Sequence, residues 1–135
     1  MPIQLSVLTT ALAVCRFKPT APIPANVFTL AFWSITRTAD ELSLVVPSEA
    51  VQPNWNSEPG WQALKIEGTL DLSLVGVLAA IASPLAQARV SIFVISTYNT
   101  DYILVKAAQL EKAVEALRKA GFEVAAPGKL ELPSQ

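Results

Sequence analysis

The residues of this chain best placed for chemistry stand close together: Thr97, Asn99, Thr100 and Asp101, within Ser91–Lys106, SIFVISTYNTDYILVK. β-Branched and aromatic residues dominate both arms of the stretch. This predicts two strands joined by the polar turn Tyr98-Asn99-Thr100, with Asp101 opening the second strand. A carboxylate, an amide and hydroxyls at the end of an apolar hairpin are costly to desolvate unless they are paired. The pairing groups are either the chain's own backbone or a small ligand. Chemistry of other kinds finds no support. The chain has no histidine, which removes the commonest general base and metal ligand. No nucleophile is set beside a base, no glycine loop has phosphate-binding form, and no Cys/His spacing suits a metal. Binding rather than catalysis is expected, with no cofactor and no metal.

The elements that must position these residues belong to a chain of 135 residues, enough for one ordinary domain or two very small ones. An apolar fraction of 52% excludes a disordered chain and leaves apolar surface for self-association. A net charge of -1 gives no footprint for nucleic acid, and no Lys/Arg cluster forms a membrane-surface patch. The single cysteine, Cys15, has no partner within the chain, so a reducing compartment, the cytoplasm, is expected. Met1-Pro2-Ile3-Gln4 lacks the basic region of a signal peptide. Leu72–Ala88 is uncharged but short and contains Pro84, which predicts a buried helix rather than a membrane span.

The first half reads mostly as strand. Leu5–Phe17 is apolar, with a turn at Thr9-Thr10. Lys18–Asn26 holds Pro19, Pro22 and Pro24 and predicts an extended loop. Val27–Thr36 and Glu41–Val46 predict a hairpin around Arg37–Asp40, and Pro47-Ser48-Glu49 a short helical turn. Gln52–Gly60, with Pro53 and Pro59, is the best linker. Trp61–Glu67 then alternates as a strand. Leu74, Leu78, Ile81 and Leu85 mark a helix, which the Ser83-Pro84 pair is expected to kink or restart. After the Ser91–Lys106 hairpin, Leu110, Ala113, Val114 and Leu117 mark an amphipathic helix. Glu115 and Lys119 are expected to pair on its wet face, and Gly121 to close it. Phe122–Ala126 is the final strand, with no element expected after Pro127. The second half therefore runs strand, helix, strand, strand, helix, strand. This is an α+β, ferredoxin-like βαββαβ arrangement with both helices on one face of an antiparallel sheet. A faint internal echo accompanies it: Phe32, Thr36 and Asp40 stand 61 positions before Phe93, Thr97 and Asp101.

Three segments carry a family resemblance. They are Lys65-Ile66-Glu67-Gly68-Thr69-Leu70-Asp71, Val75-Gly76-Val77-Leu78-Ala79, and above all Ile95-Ser96-Thr97-Tyr98-Asn99-Thr100-Asp101-Tyr102-Ile103-Leu104-Val105. With them the chain resembles the ACT-domain family of regulatory amino-acid-binding modules. It is similar to small bacterial proteins with two tandem ACT-like units and, more distantly, to the cytosolic arginine sensors and the regulatory tails of aspartate kinases. Trp33–Ser43, WSITRTADELS, resembles the first unit of those bacterial proteins. The resemblance implies a degenerate, mostly β ACT-like unit at residues 1–58 and an ACT domain at residues 59–130. It also implies a sensor, not a catalyst, whose amino-acid or related metabolite ligand sits at an interface between ACT units, with a homodimer expected. The loop carried over by the resemblance is Asp71, Leu72, Ser73, Leu74, Val75 and Gly76; the turn is Ser96, Thr97, Asn99, Thr100 and Asp101. The chain departs from the pattern at Arg89, where the family usually has glycine, and in its bulky Leu72-Ser73-Leu74-Val75.

A zwitterion needs an anion receptor and a cation receptor a few ångströms apart. The helix start near Leu74 offers free N–H groups, Gly76 permits close approach, and Asp101 offers a charge-assisted bond to an ammonium. Each of these has a plainer reading. Asp71 and Ser73 are residues that cap helices, and Asn99 and Asp101 are residues that bond their own backbone in turns. Gly76 is equally explained by packing, and a ligand-free dimerisation or partner-docking module fits the same residues. Trp33, Trp55 and Trp61 are expected in a core or interface, and Cys15 as an inert buried thiol.

Overall fold

In the computed structural model, residues 3–67 and 76–125 are described. Along them run β1 (Gln4–Val7), β2 (Leu12–Phe17), β3 (Ser34–Arg37), β4 (Leu42–Pro47), β5 (Asn56–Ile66), α1 (Val77–Gln87), β6 (Ile92–Ser96), β7 (Asp101–Lys106), α2 (Leu110–Lys119) and β8 (Glu123–Ala125). The chain divides into two compact units, one within Met1–Thr9 and Gln62–Gln135, the other Thr10–Trp61.

The larger unit is an α+β sandwich of the expected order β5-α1-β6-β7-α2-β8. Its strands lie in the order β6-β7-β5-β1-β8. Alternate strand residues share one face of a sheet, so Leu5 with Val7, Leu64 with Ile66, and Ile103 with Val105 all turn the same way. These residues are buried together with Ile81 and Leu85 of α1 and Ala113 and Leu117 of α2. Each such aliphatic side chain, fully buried, contributes about 1.5–3 kcal/mol. Both helices therefore cover one face, as the periodicity predicts.

β1 differs from the sequence reading, which assigns it with residues 1–58. It sits between β5 and β8, antiparallel to the first (Leu5↔Ile66) and parallel to the second (Leu5↔Val124). The reason is apolar: Leu5 and Val7 are 1% and 0% exposed within the helix-covered core. Strand character alone does not say which unit a strand joins.

The Thr10–Trp61 unit has β2, β3, β4 and the start of β5, in the order β3-β4-β2-β5. Its core gathers Ala13, Cys15, Val27, Leu42, Leu44 and Val46, and Phe17 meets Trp55 edge to face at 5.2 Å. The expected strand from Val27 begins only at Ser34, because Ala25–Thr29 winds into a 3-10 turn after Pro24. Arg37, exposed at the end of β3, donates to the Pro19 and Ala21 carbonyls and so fixes the proline-rich loop. The Ser48–Ala50 helical turn is present.

The linker expected at Gln52–Gly60 is half strand, since Asn56–Gly60 belongs to β5 and pairs with β2. The pairing tolerates Pro59 because the register shifts there: Leu12 faces Trp61 but Val14 faces Glu58. Gly60, at φ 84, supplies the left-handed backbone such a bulge requires.

Pro84 does not restart α1, which is a single helix containing it. The Glu115–Lys119 pair is not formed; among the described residues the salt bridge found is the exposed Arg16–Glu41 contact at 3.8 Å.

Candidate functional site

The β6–β7 turn is organised by two threonines. The Thr97 N–H donates to the Thr100 carbonyl at 2.8 Å, and the Thr97 hydroxyl donates to the same oxygen at 3.0 Å. The Thr100 N–H returns a bond to Thr97 Oγ1 at 3.2 Å. Side-chain bonds of this local kind favour turns over continued ladder. The Thr100 hydroxyl points the other way and donates to the Ile66 carbonyl at 2.7 Å. Thr100 is 5% exposed and is one of two buried polar residues among those described. Its bond ties the hairpin tip to the last residue of β5, where the chain departs toward α1.

This revises what the sequence offers. Thr97 and Thr100 are site residues by expectation, yet their hydroxyl protons are committed to Thr100 and Ile66 carbonyls. They shape the turn. Asn99 lies at the exposed tip beside Tyr98, which is 80% exposed. Asp101 opens β7 opposite Ser96 and is half-buried. Among the described residues its carboxylate has no hydrogen-bond or ion-pair partner. The reading of Asp101 as a turn residue bonding its own backbone is thereby set aside; Thr97 performs that task.

The opposite wall begins at Gly76. Asp71, Leu72, Ser73, Leu74 and Val75 lie outside the described residues. α1 starts at Val77, three residues later than Leu74, and its N-cap is Gly76 at φ 90, with no side-chain cap hydrogen bond. The first ladder bond runs from the Ala80 N–H to the Gly76 carbonyl at 2.9 Å. The N–H groups of the preceding first turn have no partner within the helix, and the dipole makes that end positive. Gly76 is thus not inside the helix, as the periodicity implied. A Cβ there would meet nothing within 4 Å, so backbone conformation rather than packing demands glycine.

Topology brings the two walls to one end of the unit. β5 ends at Ile66 against the hairpin tip, and β6 runs toward the same tip, closing on β7 at Ser96↔Asp101. α1 links the end of β5 to the start of β6, so it runs from the tip end toward the far end. Its N-terminus and Asp101 share the tip end of the sheet. One end thus combines helix N–H groups with a carboxylate that has no partner among the described residues.

The far end of α1 holds a residue that sequence periodicity does not reveal. Arg89 has φ 61, in the left-handed region that favours glycine. Its N–H donates to the Ala86 carbonyl at 3.0 Å and the Val90 N–H to the Leu85 carbonyl at 2.9 Å. This pair of bonds is a Schellman cap. Among the described residues no group of three or more His, Cys, Asp or Glu is placed to hold a metal, and no helix is long and apolar enough to cross a membrane.

Comparison with known proteins follows the same division of the chain. A family model for the ACT domain matches residues 56–119, and a model for an N-terminal domain matches residues 10–54. A solved protein of Agobacterium tumefaciens is 32% identical with a TM-score of 0.87, the match covering 93% of this chain and 94% of that one. The cytosolic arginine sensor for mTORC1 subunit 1 of Bos taurus is 28% identical over 102 residues, 65% of this chain and 30% of that protein. The chain therefore corresponds to about a third of this curated relative. The ligand-free regulatory subunit of aspartate kinase from Thermus thermophilus is 17% identical, with a TM-score of 0.60 over 83% of this chain and 93% of that one. It shares the fold.

Proposed function

The chain belongs to the ACT-domain family, and from that premise we propose that it is a regulatory protein that reversibly binds an amino acid or a closely related metabolite. The observation that carries this reading is Asp101: half-buried, without a partner among the described residues, and held at the mouth of the hairpin by the Thr97–Thr100 bonds. A carboxylate so placed receives an ammonium in a charge-assisted bond. The start of α1 at Gly76, whose first-turn N–H groups have no partner within the helix, receives a carboxylate. Asp71, Ser73, Leu74 and Val75 complete the proposed wall, with Asn99 at the tip. Thr97 and Thr100 serve as its frame.

The names of two relatives, an arginine sensor and a kinase regulatory subunit, support a sensing role. The ligand would sit at an interface between ACT units, and the chain would act as a homodimer in the cytoplasm. It would carry no catalytic machinery of its own, in keeping with the absence of histidine.

A thermal-shift screen against the common amino acids tests the reading. A ligand present at about 100 Kd stabilises its protein by roughly 2.7 kcal/mol. One amino acid is expected to raise the Tm of the wild type, and Asp101→Asn to cut that rise by about half or more. Retention of affinity and specificity in Asp101→Asn would show that the site lies elsewhere.

A second reading, a ligand-free docking or dimerisation module, draws on Phe28 and Trp33. These are 54% and 41% exposed and meet edge to face at 5.3 Å. Contiguous exposed apolar patches mark interaction surfaces, and this aromatic pair is the start of one. A screen with no shift, together with a self-association constant weakened by Trp33→Ala, would favour it.

A further inference from the structure

Two hairpins of this chain are built on one turn, and they differ in the groups that turn presents. In the β3–β4 turn the Thr38 N–H donates to the Glu41 carbonyl at 2.9 Å, and the Thr38 hydroxyl lies 3.5 Å from the same oxygen. The Glu41 N–H returns a bond to Thr38 Oγ1 at 3.2 Å. These are the three contacts that Thr97 and Thr100 make in the β6–β7 turn. The strands on either side agree as well: β3 ends at Arg37 and β4 starts at Leu42, while β6 ends at Ser96 and β7 starts at Asp101. The correspondence is therefore an offset of 59 positions, Thr38 onto Thr97 and Leu42 onto Asp101. The offset of 61 suggested by Thr36 and Asp40 is two residues out of register.

In this alignment the chemistry is missing from the first copy. Where β7 opens with the half-buried carboxylate of Asp101, β4 opens with Leu42, 0% exposed and part of the apolar core. Where the Thr100 hydroxyl latches the tip to Ile66, Glu41 carries an exposed carboxylate 3.8 Å from the Arg16 guanidinium. Asp40 falls on Asn99, at the exposed tip, and its N–H bonds to Thr38 Oγ1. The helices of the Thr10–Trp61 unit are 3-10 turns of 5 and 3 residues, too short to present an aligned dipole and a set of free N–H groups. This unit has neither the cation receptor nor the anion receptor.

We propose that the chain holds a single amino-acid receptor, at the Thr97–Asp101 turn, and binds one amino acid per chain; the Thr38–Leu42 turn is the same frame without the binding groups. The inference rests on the amino-acid reading given above and adds its stoichiometry and location.

The experiment is isothermal titration of the full chain with each of the twenty common amino acids in turn. It is repeated for Asp40→Asn and Asp101→Asn after circular dichroism has shown both variants folded. The expected result is saturable binding at one per chain, unchanged in Asp40→Asn and weakened roughly tenfold or more in Asp101→Asn. Two per chain, one per two chains, or equal weakening by the two substitutions would overturn the single-receptor inference and leave the sensor reading standing. No saturable binding of any amino acid would overturn this inference together with the amino-acid form of the sensor reading. The wild-type stoichiometry decides the matter even if a variant fails to fold.

Discussion

Arg89 is a non-glycine residue held at φ 61, and replacing it isolates the cost of that conformation. It is the C′ residue of α1, between the Arg89–Ala86 and Val90–Leu85 bonds of the cap. Leu85 and Val90, at 0% and 5% exposed, are both in the core, so the cap is anchored and the backbone has no freedom to relax. A left-handed conformation costs an L-residue about 1–2 kcal/mol. Glycine avoids that cost but loses roughly 0.5–1 kcal/mol through the greater freedom of its unfolded chain. The difference favours glycine by about 0.5–1 kcal/mol. Arginine also brings a positive charge to a helix C-terminus, worth about 0.3–1 kcal/mol when exposed. Comparison with the wild type alone would therefore mix two terms of similar size. Arg89→Ala removes the charge and keeps the strain, whereas Arg89→Gly removes both. The expected outcome is that Arg89→Gly is more stable than Arg89→Ala by about 0.5–1 kcal/mol, read from urea midpoints at equal slope. In a thermal scan this is about 2–5 °C. The same cap closes α2 with Gly121 at φ 101, through the Gly121–Arg118 and Phe122–Leu117 bonds. Gly121→Ala should lose what Arg89→Gly gains over Arg89→Ala. An Arg89→Ala protein as stable as Arg89→Gly would refute the strain argument at this position.

Thr100→Val keeps the shape of a buried residue but removes its 2.7 Å bond to the Ile66 carbonyl. It should cost about 1–2 kcal/mol in urea unfolding, with Thr100→Ser retaining more of the stability; a valine variant equal to the wild type would show that the latch contributes nothing. Gly76→Ala places a left-handed conformation on alanine where a Cβ has open space. The loss should be about 0.5–1 kcal/mol without any packing defect, and unchanged stability would contradict the left-handed assignment. Cys15 is 1% exposed, and burial pushes its thiol pKa above the ordinary value. It should resist a thiol reagent in the folded protein and react once the protein is unfolded, with fast labelling of the native state as the contrary result. The folded thiol keeps its proton after the unfolded thiol has begun to ionise. Stability should therefore fall as pH rises through the ordinary thiol range, about 8.5 and above. A Cys15→Ala protein should lose less over that range, and parallel losses in the two proteins would assign the trend to other groups.

The second half of the fold was legible because its signals are local and agree with one another. Leu110, Ala113, Val114 and Leu117 fall on one helical face, Gly121 supplies the left-handed closing residue, and β-branched arms flank a polar turn; the structure places α2, its cap and the β6–β7 hairpin accordingly. What was not legible depends on partners distant in sequence. Gln4–Val7 has strand composition in either unit, and only the helix-covered core in which Leu5 and Val7 are buried decides its unit. Pro59 and Gly60 read as linker because composition does not reveal a bulge opposite Ala13. Gly76 read as an interior helix residue because the apolar spacing continues upstream through Leu74, while the conformation at which the helix starts, φ 90, leaves no mark on periodicity.

The internal echo is the most instructive case. Residue identity pairs Thr36 with Thr97 and Asp40 with Asp101, whereas the turn hydrogen bonds pair Thr38 with Thr97 and Leu42 with Asp101. A hairpin turn is defined by which N–H meets which carbonyl, and a shift of two residues preserves strand alternation, so periodicity alone is blind to it. The functional consequence lies entirely in those two positions. The identity-based register pairs two acidic residues, Asp40 with Asp101; at the hydrogen-bonded register the two equivalent positions hold a half-buried carboxylate, Asp101, and a buried leucine, Leu42.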